Sequence, residues 1–304
     1  MTDIPYEVVD VFTTTRFGGN PLAVITDARK LDDAQMQHIA AEFGYSETTF
    51  VLPPSDPAHT ARVRIFTPVT EVPFAGHPNV GTGFVLARRG DVFGRTAGES
   101  MIFEETAGLV EVSVRRGRGL VTGASITAPR PLEVGQEVDR GLVADCVSLA
   151  EADIMIDAHQ PCVLSVGLPF VFAQLADRAA LARSRPNLNR FVEANQAIPL
   201  EGGFAVFLYV PTPGDPARIS ARMFAPLDKV PEDPATGSAS AALGAFLAGR
   251  MESPDGEVTL TIEQGEDMGR PSQIDLRMRK AGGVVWQVSV AGSCVPVMRG
   301  ELVL

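Results

Sequence analysis

Residues 232–243 read Glu232-Asp233-Pro234-Ala235-Thr236-Gly237-Ser238-Ala239-Ser240-Ala241-Ala242-Leu243. From Gly237 to Leu247 nearly every side chain is alanine, serine, glycine or leucine, so a helix formed there has no charged face to turn to water. Its side chains are also small, and it belongs in the middle of a domain. Asp233 before Pro234 has the pattern of an N-cap followed by a proline in the first helical position. The start of a buried helix carries unpaired backbone N–H groups and the positive end of a dipole. It is a natural seat for a carboxylate or another anion.

Working outward from this helix, the chain repeats itself. Upstream lie Asp215-Pro216-Ala217, then Arg222-Met223-Phe224-Ala225-Pro226, then Val230-Pro231. The first half has Asp56-Pro57-Ala58, Arg64-Ile65-Phe66-Thr67-Pro68 and Val72-Pro73 in the same order. Gly19-Asn20-Pro21-Leu22-Ala23-Val24 is matched by Gly167-Leu168-Pro169-Phe170-Val171-Phe172, and Val112-Ser113-Val114 by Val288-Ser289-Val290. Four ordered echoes at a shift of roughly 150 to 175 residues imply two pseudo-symmetric halves. The expected halves are 1–128 and 129–304, meeting near Pro129-Arg130-Pro131, with the extreme C-terminus able to pack on the first half.

Within each half, Tyr6–Phe12, Val63–Phe66, Leu109–Val114 and Phe204–Val210 have strand length and pattern. Leu31–Phe43 carries Leu31, Met36, Ile39 and Phe43 at helical spacing. Strands outnumber helices and connections are short, which predicts an α+β fold with mixed or antiparallel sheets rather than a doubly wound parallel one.

The counterpart of the 232–243 turn is Phe74-Ala75-Gly76-His77-Pro78-Asn79-Val80-Gly81-Thr82, again with a polar residue before proline. If the halves are related by a pseudo-twofold axis, both helix starts face one cleft. Gly76, Gly81 and Gly237 would let a substrate approach the backbone there, and Thr82 and Ser238 would offer hydroxyls. A further stretch, Phe43-Gly44-Tyr45-Ser46-Glu47-Thr48-Thr49-Phe50-Val51-Leu52-Pro53, is a buried strand in all but one carboxylate. Glu47 at its mouth reads either as an edge glutamate facing water or as an acid/base kept in a partly dry site. His77 and Asp233 likewise have plain readings, as a turn histidine and a helix cap.

Bulk properties narrow the function. With 304 residues and 45% hydrophobic content the chain can fill two cores. A formal charge of −11 argues against nucleic acid, whose binding requires lysines and arginines to displace counterions. Three widely spaced cysteines, Cys146, Cys162 and Cys294, suggest neither a disulfide framework nor a zinc site. No signal-peptide pattern opens the sequence, and apolar runs fall far short of the roughly 18 residues that span a bilayer. The expectation is a cytoplasmic protein without membrane contact. No GxGxxG after a strand, Walker sequence or GxSxG elbow occurs, so neither a nucleotide cofactor nor a serine nucleophile is expected. Nothing in the spacing of His77, Asp233 and Glu47 supports a metal.

On these residues the chain resembles the phenazine-biosynthesis-like (PhzF-like) isomerases and epimerases of the diaminopimelate epimerase superfamily. The resemblance rests on Asp10-Val11-Phe12 with Gly18-Gly19-Asn20-Pro21, on Ser46-Glu47-Thr48-Thr49-Phe50 and on Gly76-His77-Pro78 with Gly81. It continues through Asp233-Pro234-Ala235-Thr236-Gly237-Ser238-Ala239 and Gly265–Ser272. It implies two domains, each a sheet curled around a central helix, a cleft between them as active site, cofactor-free proton transfer and a homodimer. It places the acid/base on Glu47, with His77 and Asp233 as its catalytic companions. Ser46, Gly76, Gly81, Gly237 and Ser238 would line the site for a small carboxylate-bearing substrate. Relatives that make phenazines isomerise trans-2,3-dihydro-3-hydroxyanthranilate.

Two departures stand out. The racemase branches use paired cysteines at the two helix starts, where this chain has none. Asn79 replaces a smaller hydroxyl residue, which bears on the substrate pocket. A small-molecule binding protein without turnover, or an epimerase or dehydratase of another small acid, are the alternatives.

Overall fold

In the computed structural model, which describes residues 3–252 and 255–303, the chain divides into two units. One comprises the residues up to Pro129 together with the C-terminal segment from Ser289, and the other is Arg130–Val288. The first unit runs β1 (Asp3–Val11), β2 (Asn20–Ile25), α1 (Asp33–Phe43), β3 (Glu47–Leu52), β4 (Ala61–Phe66), β5 (Glu71–Val72) and α2 (Gly76–Arg89). A small hairpin, β6 (Asp91–Val92) and β7 (Arg95–Thr96), leads to β8 (Ser100–Glu105), β9 (Gly108–Gly117) and β10 (Leu120–Thr127). The second runs β11 (Glu133–Glu137), α3 (Arg140–Cys146), β12 (Ile154–Met155), β13 (Cys162–Ser165), β14 (Pro169–Leu175), α4 (Arg178–Arg183) and α5 (Leu188–Ala197). Next come β15 (Val206–Thr212), β16 (Asp215–Ala225), β17 (Val230–Asp233), α6 (Gly237–Gly249), β18 (Gly256–Gln264), β19 (Ser272–Ala281) and β20 (Val284–Val303).

In the first unit the strand pairings lead back to their starting point. β1 is antiparallel to β2, β2 parallel to β3, β3 antiparallel to β4 and β4 parallel to β8. β8–β9, β9–β10, β10–β20 and β20–β1 are all antiparallel. Eight strands therefore close into a barrel, which leaves no free edge. Helix α2 touches β1, β2, β3, β9 and β10 and is buried from Gly76 to Ala87, so it fills the barrel. Its glycines permit this. A Cβ on Gly81 would come within 2.5 Å of Leu22 Cδ2, and one on Gly83 within 2.5 Å of Val112 Cγ1.

The second unit repeats the sense of each pairing. β13–β14 is antiparallel, β14–β15 parallel, β15–β16 antiparallel, β16–β18 parallel and β18–β19 antiparallel, with β19 then pairing β20. Helix α6, buried from Gly237 to Phe246, packs on β13, β14, β18 and β19. The architecture is the expected α+β, with parallel and antiparallel pairs in each sheet.

Three of the four sequence echoes fall on equivalent strands: β2 with β14, β4 with β16, and β5 with β17. The fourth does not. Val112-Ser113-Val114 lies in β9, whose counterpart is β19, whereas Val288-Ser289-Val290 lies in β20. Alternation of valine and serine suits any half-buried strand and carries no register of its own. The Arg-x-Phe echo is matched in detail. Arg64 makes a two-pronged contact with Glu71, Nε at 2.8 Å and Nη2 at 2.6 Å, and Arg222 does the same with Glu232 at 2.7 and 2.8 Å. Each guanidinium also lies over the ring two residues on, Phe66 at 5.1 Å and Phe224 at 4.9 Å.

Outside the helix-filled interiors each unit has a second apolar layer. Helix α1, capped by Asp32 in a capping box with Gln35, lays Met36, Ile39 and Ala40 against Ile25, Phe50 and Phe66. In the second unit Phe191 and Ala194 of α5 pack with Phe204, Leu208 and Phe224. No helix among the described residues is long and apolar enough to cross a membrane.

The helix starts differ from the expectation. α6 begins at Gly237 with Thr236 in the N-cap position, and Asp233 is still part of strand β17, paired with Met223. The Asp-Pro pair therefore closes a strand rather than opening a helix. α2 begins earlier, at Gly76, which puts Pro78 inside the first turn, where its missing N–H has no intrahelical partner to lose.

Candidate active site

In the first unit three elements converge on His77. The β1–β2 connection folds back at Gly19, whose φ is +63° and where a Cβ would lie 2.3 Å from Val11 O. Only glycine accepts that turn without strain. The buried Asp10 carboxylate holds the loop by accepting the Phe17 N–H at 2.6 Å. The turn delivers Asn20, fully buried at the start of β2. β3 runs parallel to β2 with Glu47 level with Leu22, so the carboxylate stands at the mouth of the strand beside it. α2 supplies His77 from its first turn.

The result is a buried polar knot. Asn20 Nδ2 is 3.3 Å from His77 Nδ1, and Glu47 Oε2 is 3.4 Å from the same nitrogen. The Glu47 side chain keeps 17% of its surface exposed while Oε2 is sealed from solvent, and His77 is almost wholly enclosed. Burial pushes the His77 imidazole down to about 3, so it is neutral near pH 7. The Glu47–His77 contact is therefore not an ion pair, although its distance qualifies as one. Nor does the 3.4 Å approach have hydrogen-bond geometry at Oε2, and the Asn20 amide nitrogen faces the same Nδ1, so carboxyl and ring stand in close polar contact. Glu47 thus stands against an uncharged, enclosed neighbour while part of its side chain stays exposed.

The first unit also encloses a second carboxyl group, beside Asn79 of α2. Both oxygens of Glu105 are sealed from solvent and have no hydrogen-bond partner among the described residues. Burial raises its pKa well above the usual carboxylate range, and the Asn79 amide offsets this only in part. Asn79 itself donates to Ala75 O at 3.0 Å, within the first turn of α2.

In the second unit Asp233, Thr236 and Gln264 form a closed network. The Thr236 hydroxyl donates to Asp233 Oδ2 at 2.6 Å, and Gln264 Nε2 donates to Asp233 O at 2.8 Å and lies 3.0 Å from Thr236 Oγ1. Gln264 Oε1 accepts the Thr236 N–H at 3.1 Å. Asp233 is buried but acts as an acceptor for this turn and not as the cap of α6.

The structure thus brings Glu47 and His77 together in the first unit, and Asp233, Gly237 and Ser238 together around the start of α6 in the second. Ser46 is a half-buried neighbour of Glu47, and Gly76 is the first residue of α2. Gly81 has a packing role against Leu22 and Val11. The cysteines lie in α3, β13 and β20, away from the first turns of α2 and α6, and burial pushes the Cys162 thiol up to about 11. Among the described residues no three His, Cys, Asp or Glu side chains come together as a metal cage. The sequence reading gave no part to Asn20, Gln264, Thr236 or Glu105. Asn20 stood within the quoted Gly-Gly-Asn-Pro run and Gln264 directly before Gly265, while Glu105 had no local signal at all.

A duplicated α+β fold with helix-filled sheets and a buried Glu–His contact defines the class. The family described as phenazine biosynthesis-like protein matches residues 9–300, and the chain belongs to that family. It is 38% identical to an uncharacterized isomerase of Mesorhizobium japonicum, with 98% of each chain covered. It is 34% identical to the trans-2,3-dihydro-3-hydroxyanthranilate isomerase of Pseudomonas chlororaphis, covering 98% of this chain and 99% of that one. The crystal structure of the Bacillus anthracis phenazine biosynthesis protein, PhzF family, superposes with a TM-score of 0.86 at 25% identity over 100% of both chains. The protein is an isomerase.

Proposed function

We propose that the protein is a cofactor-independent isomerase that moves a proton within a small carboxylate-bearing molecule, with Glu47 as the acid/base. In the forward step the Glu47 carboxylate takes a proton from an activated C–H. The released electron pair forms a new double bond to the neighbouring carbon, the pair of the old double bond moves to its far carbon, and the Glu47 carboxyl returns the proton there. No electrons are lost or gained overall. The observation that carries this reading is a partly exposed Glu47 carboxyl group whose Oε2 lies sealed from solvent, 3.4 Å from a neutral, buried His77. His77 would fix the orientation of that carboxyl, and Asp233 would serve the same reaction from its own network.

The first substrate to try is trans-2,3-dihydro-3-hydroxyanthranilate, the compound named for the Pseudomonas chlororaphis relative. The reaction is run in heavy water and the product analysed for deuterium. Glu47→Gln should lose about 10²- to 10⁴-fold in rate. Labelled product made by that variant as fast as by the wild type would sink the assignment. Binding without any turnover would favour a binding protein, and inversion at one carbon or loss of water would favour an epimerase or a dehydratase. The homodimer is part of the same proposal and is checked by light scattering.

A further inference from the structure

The first unit has a basic recess that the isomerase reading does not use. A cleft of about 430 Å³ is lined by Arg16, Arg88, Arg89, Arg299, Glu7 and the segment 296–298. Four guanidinium groups face one carboxylate, in a chain whose formal charge is −11. The excess is therefore local and not a reflection of composition.

Among the described residues none of these arginines is held in a tight carboxylate pair. Arg88 and Arg89, in the last turn of α2, share Glu7 at 3.7 and 3.5 Å, well beyond the roughly 2.7–2.9 Å of a charge-assisted hydrogen bond. Arg16 Nε donates to a neutral acceptor, Pro296 O, at 2.9 Å. Arg299 stands directly opposite Glu7 across the β1–β20 pair and has no ion pair among the described residues. The recess is shaped by a bulge. Val8 pairs Met298 and Val9 pairs Pro296, so Val297 is an extra residue that bends β20 at this point. Two rows of arginines, one from the helix end and one from the bent strand and loop, are thereby turned to a common space. Guanidinium forks match the oxygens of phosphate in pairs.

We propose that this recess binds a phosphorylated small molecule through Arg16, Arg88, Arg89 and Arg299. The three positive charges left after Glu7 is counted exceed what a single phosphate monoester, at about −1.5 to −2, would neutralise. A diphosphate is the better match. The site is distinct from the Glu47–His77 knot, and its occupancy can be measured without turnover.

The test is calorimetric titration of the full-length protein with pyrophosphate at low salt, with malonate and tricarballylate as carboxylate controls. Saturable binding is expected, with a rise in melting temperature that grows with ligand concentration. Arg299→Ala and, independently, Arg16→Ala should each weaken binding at least about 10-fold while melting like the parent without ligand, the loss expected for one charge-assisted contact. Glu7→Gln should tighten it. No saturable binding in the parent, unchanged affinity in both arginine variants, or carboxylates binding as tightly as pyrophosphate would each overturn the assignment.

Discussion

Thr49 Oγ1 and Thr82 Oγ1 lie 2.9 Å apart, both wholly buried, and join β3 to α2. Thr49 is two residues beyond Glu47 and so on the same side of its strand, and α2 is the helix that begins beside His77. The hydroxyl pair thus braces the strand carrying the carboxylate against the helix carrying the imidazole. Thr82→Val keeps the shape but leaves the Thr49 hydroxyl buried without that partner. It should cost about 1–3 kcal/mol of stability and lower the isomerase rate, read by denaturant unfolding and steady-state assay. Thr49→Val with Thr82→Val removes both polar groups and should recover much of the stability.

Gly265 and Gly269 make an internal control for the Asp233 network. Both have positive φ, +76° and +72°. A Cβ on Gly269 would meet nothing within 4 Å, whereas one on Gly265 would fall 2.4 Å from Arg270 O and 2.6 Å from Pro234 O. Both contacts are backbone, so the 234–236 turn itself must move. Gly269→Ala should cost about 1 kcal/mol, the left-handed penalty alone. Gly265→Ala should cost clearly more and reduce activity by displacing Thr236 from Asp233. Equal melting temperatures for the two variants would show that the turn yields freely.

Much of the fold was legible because duplication writes the same constraint twice. Arg64 and Phe66 announced Arg222 and Phe224, and the small residues of α6 announced its burial on all sides. Glu47 was visible as a charge where a buried strand has no need of one. What stayed hidden depends on tertiary closure. The barrel closes only because β20 returns from the far end of the chain, and no local pattern in Ser289–Val303 names β1 and β10 as its partners. Glu105 ends an ordinary strand, and only its enclosure beside Asn79 makes it unusual. The Asp233-Pro234 reading failed for a related reason. A carboxylate before proline caps a helix or closes a strand equally well, and here Asp233 pairs with Met223 in β17 and accepts from the Thr236 hydroxyl.

Glu105 should make the protein less stable as pH rises. Its folded pKa is raised by burial, so between the unfolded value near 4.5 and the folded one the native state holds more protons than the unfolded chain. The sign of linkage then gives full stability below about 4.5 and a loss of about 1.4 kcal/mol for each pH unit through that window. Glu105→Gln abolishes this dependence. The variant should be the more stable protein at pH 8 and lose the advantage by pH 4.5, as measured by urea midpoints across the range. A variant less stable than wild type at pH 8 would mean that the carboxyl is charged and held by groups around it.

His77 works in the opposite direction. Burial depresses its folded pKa to about 3, against 6.5 for the free imidazole. Between these values the unfolded chain binds the extra proton, so the stability contribution is complete above about 6.5 and drains away as pH falls toward 3. The upper bound is again about 1.4 kcal/mol per pH unit. His77→Gln removes the group that must be charged and should flatten the acid limb of the stability curve. It should also cost activity at every pH, because the amide cannot hold the Glu47 carboxyl as the ring does. Proton NMR of the imidazole gives the direct reading. A His77 resonance titrating near 6.5 in the folded protein would mean an open, solvated ring, and the neutral, enclosed imidazole beside Glu47 would then have to be abandoned.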